Sequence, residues 1–166
     1  MRAAFFKGKD QPLSIESIKK FRPVKDQVLV KLNHAALNHR DLWIMKEQNP
    51  PPNPVILGSD GCGVVEDVGE DADPMLVGME VVMNPSLEWG NNPIVQGDSF
   101  KILGYPDNGT FSDYMVISKK YIFEKPEGLS DAECAASPLS GLTAYRALFS
   151  KARLRAKEKV LITGIG

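Results

Sequence analysis

The stretch from Val55 to Gly69, VILGSDGCGVVEDVG, decides how the rest of the chain is read. Its apolar residues suit a buried strand, yet Gly58, Gly61 and Gly63 interrupt them. Glycine inside a strand pattern marks a bulge, a tight bend or the close approach of another backbone. The stretch therefore predicts a strand that bends or takes a neighbour at short range.

Upstream, MRAAFFK (1–7) and QVLVKLNHAAL (27–37) alternate. Val28, Val30 and Leu32 fall on one face, with Leu29 and Lys31 opposite, so both segments read as half-buried strands. Pro23 and Lys25-Asp26 supply turn chemistry between them. In NHRDLWIMKEQ (38–48), Leu42, Ile44 and Met45 suggest one or two helical turns that Asn38 or Asp41 would cap. NPPPNP (49–54) predicts a stiff, extended loop, because proline fixes φ and has no N–H to donate.

Downstream, VGMEVVMN (77–84) reads as a short strand after a turn, and TFSDYMVISKKYIFEKP (110–126) returns to strand patterning. Between them, residues 85–109 are rich in Gly, Pro and Asn and have little periodicity; a loop of that length in a compact domain is more often functional than idle. From Leu129 the texture turns helical. Ser130 with Glu133 forms a capping-box signature, and Pro138 suits the first turn of a second helix. That helix carries Leu139, Leu142, Tyr145, Leu148 and Phe149 at helical spacing. KVLITGIG (159–166) then reads as a buried strand, Val160–Thr163, running into a glycine turn.

Composition narrows the function classes. The 166 residues are 43% apolar with a net charge of -1. No basic block argues for nucleic acid or an anionic membrane surface. No apolar run approaches the roughly 20 residues of a membrane span, and MRAAFFKGKDQPL (1–13) is unlike a secretory signal. Two cysteines, Cys62 and Cys134, make no disulfide framework. These features fit a cytoplasmic protein.

A lone strand feeding Gly164-Ile165-Gly166 needs partner strands, and a glycine turn of this kind needs a helix N-terminus facing a phosphate. The plain alternative is an edge strand with a glycine tail. The order of elements, mostly β to residue 126, then helix, helix and strand, favours a two-domain nucleotide enzyme cut early.

Four segments then carry a family resemblance. ALNHRDLWIMKE (36–47), PVILGSDGCGVVEDVG (54–69), GTFSDYMVI (109–117), and SPLSGLTAYRAL (137–148) followed by KVLITGIG resemble the medium-chain dehydrogenase/reductase superfamily, in family order. The resemblance implies a mainly β fold: a GroES-like, partly open β-barrel with a few short helices over residues 1–128. Residues 129–166 would hold linker helices and the first strand of a truncated Rossmann domain. The chain would then be the catalytic half of a longer oxidoreductase, homo-oligomeric at full length.

Zinc members of the superfamily hold their metal with Cys, His and Cys. Those ligands would fall at Asn38, at Ser59 and near Ala136 or Ser137, none of which is a thiolate or an imidazole. The loop 85–109, where a structural zinc lobe would lie, contains no cysteine. Cys62 and Cys134 read as buried small apolar residues. His34 and His39 have no sulfur partner nearby in sequence, and Asp41 with Asp60 does not make a zinc site.

By resemblance the chain therefore sides with the zinc-free, quinone oxidoreductase-like branch. Such enzymes reduce quinones or α,β-unsaturated carbonyls with NADPH or NADH, which the absent domain would mainly bind. Asn38 would contact the nicotinamide ribose or the substrate oxygen, or else simply cap the helix that follows. Asp41 would orient neighbours, and Arg40 would pair with it or brace the loop. Thr143 would contact the nicotinamide amide, or bond a preceding carbonyl. Gly164 and Gly166 would meet the cofactor. Ser59, Asp60, Trp89 and Tyr105 would line a substrate pocket, unless Ser59 and Asp60 only form the bend of a barrel strand and Trp89 sits in an exposed loop; Trp43 would lie either in that pocket or in the core. Two other readings stay open: a zinc alcohol dehydrogenase with atypical ligands, and a self-sufficient GroES-like binding module.

Overall fold

Val28 and Val30, fully buried, mark where the core lies. The computed structural model describes residues 1–47 and 52–164. In chain order its strands are β1 (Arg2–Phe6), β2 (Ser14–Ser17), β3 (Gln27–Ala36), β4 (Val55–Ile56), β5 (Asp60–Val68), β6 (Glu80–Met83), β7 (Ser86–Leu87), β8 (Lys101–Ile102), β9 (Tyr114–Ser118) and β10 (Ile122–Glu124). The helices are α1 (His39–Glu47), α2 (Asp131–Ala136) and α3 (Pro138–Tyr145).

A five-stranded sheet runs β10-β6-β5-β3-β9, a three-stranded one β2-β1-β4, and β7 pairs with β8. Bonds from Ala4 N–H to Phe111 O and from Leu32 N–H to Asp113 O join the two larger sheets through the segment leading into β9. Among the described residues the architecture is mainly β, with short helices and no closed barrel. Val28, Val30, Val65, Val81, Met83 and Met115 form the main core, and Leu32 packs against it. Leu29, expected on the opposite face, is buried as well.

The glycines of the 55–69 stretch act as the sequence suggests. Gly58 has φ of 95°, a left-handed value costly for any residue with a Cβ. At Gly63 a Cβ would sit 2.1 Å from the Lys31 carbonyl oxygen. The β3–β5 register shifts at that place, between Leu32 and His34. Of the three options for a strand glycine, close backbone approach is realised at Gly63.

The capping box at the head of α2 is present, with Ser130 Oγ accepting from Glu133 N–H and the Glu133 carboxylate accepting from Ser130 N–H. Cys134 and Ala135 seat α2 on Cys62 of β5. Three expectations need correction or qualification. Helix α1 spans nine residues, longer than one or two turns. Of the proline loop 49–54, residues 49–51 lie outside the described residues.

The third correction concerns the end of the chain. Beyond α3 the helix widens into a π-type segment, Arg146–Lys151, and Val160–Thr163 forms no strand. An apolar run becomes a strand only when a ladder partner satisfies its backbone groups. Among the described residues none pairs with it, and Leu161 stays 88% exposed.

Candidate active site

The turn before β5 is strapped into place from one side. Ile56 O, Leu57 O and Gly58 O accept from the N–H groups of Gly109, Phe111 and Thr110. Thr110 Oγ1 donates to Asp60 O at 2.8 Å, and Ser59 Oγ donates to Leu103 O at 2.7 Å. This fixes the backbone of residues 56–60. Ser59 is fully buried, with its hydroxyl committed to that carbonyl.

The side chain of Asp60, 1% exposed, reaches two other elements. Its Oδ2 accepts from Asn38 Nδ2 at 2.9 Å, and its Oδ1 accepts from Leu139 N–H at 2.9 Å. One carboxylate thus ties the residue before α1 to the first turn of α3. Burial pushes the Asp60 pKa above its usual value; the bonds from Asn38 and Leu139 oppose the shift and the nearby Asp41 charge adds to it.

Asn38 precedes α1, but its side chain does not cap that helix. Asp41, two positions beyond its first residue, reaches back instead, and its Oδ2 accepts from Asn38 N–H at 2.8 Å. Asp41 is itself buried, which raises its pKa against the opposing effects of Asn38 N–H, the Arg40 charge and Gly58 N–H. Burial lowers the Arg40 pKa, and Asp41 resists the change. Arg40 Nη2 donates to Tyr105 O at 2.9 Å. Arg40 Nη1 and Asp41 Oδ1 are buried without a hydrogen-bond partner among the described residues.

Beside this junction lies a cleft of about 620 Å³, walled by Trp89, Phe100, Leu139, Leu142, Thr143 and Arg146 among others. The Arg146 guanidinium lies 4.2 Å from the Trp89 ring centroid and donates to Pro93 O and Ile94 O at 2.8 and 2.6 Å. Lys151 Nζ donates to Ile94 O at 2.8 Å. The long loop is thereby fastened to the α3 side. Thr143 Oγ1 donates to Leu139 O at 2.7 Å, which commits its proton and leaves only acceptor lone pairs for a ligand. A second hollow of about 730 Å³, near Phe21, Leu103 and Tyr121, takes in none of the residues expected to act.

The expected site residues therefore separate. Asn38, Asp41 and Asp60 gather at one junction, while Trp89 and Thr143 share the neighbouring cleft. Tyr105 packs edge-on against Phe6 near Leu57, away from the cleft walls. Trp43 is half-exposed and leans on His39, 5.6 Å between ring centroids, in neither pocket nor core. Gly164 follows the unpaired run, and Gly166 lies outside the described residues.

Sequence reading missed Leu139, Arg146 and Lys151. Ala136 and Ser137, the expected third ligand-equivalent positions, are exposed, and the backbone contact from this segment to Asp60 is made by Leu139 N–H. Pro138 in the first turn was the available signal, because the free N–H groups of a helix follow its start. Cys62 and Cys134 are buried and not joined in a disulfide, and burial followed by the neighbouring Cys134 pushes the Cys62 thiol up to about 12.

Residues 24–127 match the alcohol dehydrogenase GroES-like domain. The chain belongs to the medium-chain dehydrogenase/reductase superfamily. A zinc-type alcohol dehydrogenase-like protein of Schizosaccharomyces pombe, C1773.06c, is 36% identical over 165 residues, covering 96% of this chain and 47% of that protein. A crystal structure of an NAD-dependent alcohol dehydrogenase superposes with a TM-score of 0.87 at 34% identity, covering 95% of this chain and 49% of that one. The quinone oxidoreductase of Coxiella burnetii gives 0.72 at 25% identity, covering 92% and 45%. This superfamily member spans about half the length of the curated relatives it matches.

Its donors do not make a cysteine–histidine zinc set. Asn38 and Asp60 are bonded to each other, Ser59 is bonded to Leu103 O, and Leu139 has an apolar side chain. Among the described residues no three His, Cys, Asp or Glu side chains are grouped to hold a metal ion. No helix there is long and apolar enough to cross a membrane.

Proposed function

We propose that the protein carrying this chain is a zinc-free, NAD(P)H-dependent oxidoreductase that reduces quinones or α,β-unsaturated carbonyls. The observation that carries this reading is the Asn38–Asp60–Leu139 junction. By family resemblance the zinc ligands would fall at Asn38, at Ser59 and near Ala136 or Ser137; next to those positions this chain has an amide, a carboxylate and a backbone N–H engaged with one another. The similarity to a quinone oxidoreductase supports the same branch. The division into a catalytic domain, 1–128, and the start of a nucleotide-binding domain, 129–166, belongs to this proposal, as does a homo-oligomer at full length.

A nicotinamide cofactor supplies the hydride when bound. This chain's own residues bind and orient around it. Asn38 and Thr143 offer acceptor oxygens to the nicotinamide end, and Trp89 with Phe100 offers an aromatic wall for a flat acceptor. Loop 89–94, held by Arg146 and Lys151, limits water at one side of the cleft. Asp41 holds the start of α1 so that Asn38 is fixed from both its backbone and its side chain.

The names of the relatives keep a second reading in view, since the Schizosaccharomyces pombe protein is called zinc-type. Metal analysis together with assays on the full-length protein separates the two. NADPH oxidation by 1,4-benzoquinone that is unchanged by 1,10-phenanthroline, with far less than one zinc per chain, is the expected result. One zinc per chain and activity lost to the chelator would establish the atypical zinc enzyme instead.

A further inference from the structure

A primary amide has two unlike ends: its nitrogen donates and its oxygen accepts. Which end meets a ligand decides what the ligand must offer. The two ends are told apart by their partners. At Asn38 the deciding partner is Asp60, whose Oδ1 already takes Leu139 N–H and whose Oδ2 lies 2.9 Å from the Asn38 amide. The nitrogen end is the one that meets Asp60, Asn38 Nδ2 donating to Asp60 Oδ2. Asn38 Oδ1 is then left over. Among the described residues it accepts no hydrogen bond, and Asn38 is only half-buried. Leu139, the third member of the junction, is a wall residue of the cleft.

We propose that Asp60 is a positioning residue that sets the polarity of the Asn38 amide, so that the site takes a ligand hydroxyl at Asn38 Oδ1. The proposal rests on the reductase reading above. It narrows the contact to a hydroxyl, supplied either by the ribose of the nicotinamide cofactor or by the hydroquinone form of the substrate.

A carboxylate that merely staples two helices together behaves differently under substitution. In Asp60→Asn the new amide keeps its oxygen on Leu139 N–H and turns its nitrogen to Asn38. Asn38 answers by rotating, oxygen inward and nitrogen outward. Each hydrogen bond is re-formed, yet the group offered to the ligand changes from acceptor to donor. Adding Asn38→Asp to Asp60→Asn turns an acceptor outward again while keeping both bonds of the junction.

The test combines kinetics of the full-length protein, using NADPH and 1,4-benzoquinone, with thermal melts and amide spectra of this chain. Asp60→Asn is expected to melt within a few degrees of wild type while kcat/KM falls at least about tenfold, the worth of one hydrogen bond. The double exchange is expected to recover most of that loss. A raised KM for NADPH assigns the hydroxyl to the ribose. Lost inhibition by hydroquinone with KM for NADPH unchanged assigns it to the substrate. Wild-type kinetics in Asp60→Asn, or a double exchange no better than Asp60→Asn, overturns the proposal.

The spectra separate this from the reductase reading. If the full-length protein reduces nothing, that reading fails and the hydroxyl contact with it. The amide polarity is then judged on the Asn38 side-chain resonances. They should move when Asp60→Asn removes the carboxylate acceptor, and resonances that stay in place would overturn it.

Discussion

Two glycine-punctuated apolar runs in this chain meet opposite fates. VILGSDGCGVVEDVG, at 55–69, becomes β4, a tight turn and β5, with Ile56, Leu57, Cys62 and Val65 sealed from solvent. KVLITGIG, at 159–166, looks at least as strand-like, yet its described residues pair with nothing and Leu161 is open to solvent. The difference lies outside both segments. The first has β3 on one side, β6 on the other and the 109–111 strap across its turn. Apolar patterning makes a segment competent to be a strand, and a partner makes it one.

That contrast breaks most readily at Gly63. Gly63→Ala drives a Cβ into the Lys31 carbonyl and is expected to cost about 3 kcal/mol or more, read as a lower urea midpoint. A variant that unfolds like wild type would mean that β3 does not press on β5 as described.

The next effect is pH-dependent. Asp60 and Asp41 have folded pKa values raised above 3.8, so between that value and the raised ones the native state binds more protons than the unfolded state. Their contribution to stability therefore falls as pH rises through the window. Carboxylates nearer the surface with lowered pKa values, such as Asp113 and Glu133, act in the opposite sense, so a difference curve is needed. Stability of wild type minus that of Asp60→Asn, from urea melts at stepped pH, should decline as pH climbs. A flat difference would mean that Asp60 carries no desolvation burden.

Smaller effects belong to the open end of the chain. Gly141 sits within α3 with nothing near an added Cβ, so Gly141→Ala should raise stability by about 0.5–1 kcal/mol in the same melts. Leu161→Lys should change it by less than about 0.5 kcal/mol. A large loss there would reveal packing against residues 159–164 and dissolve the contrast between the two runs.

Local rules were legible in the sequence where the chemistry is local. Ser130 and Glu133 announced their capping box, and Gly63 announced a close neighbour, because each signal lies within a few residues of its effect. The candidate site was legible in part. Asn38, Asp41 and Asp60 were singled out, and they meet. The bond from Leu139 to Asp60 spans 79 positions and involves a backbone N–H, which no residue type advertises. Ser59 reads as a pocket residue, but in the turn before β5 its hydroxyl is spent on Leu103 O, while Asp60 faces α3. Trp43 looked like core or pocket, and the α1 surface it occupies is covered by neither.

Arg146 grips two successive loop carbonyls while its guanidinium lies over Trp89. Helix and loop are therefore mechanically one jaw. Swinging the loop alone would break both carbonyl bonds and unstack the indole at once. A displacement of the helical tail would carry this wall of the cleft with it.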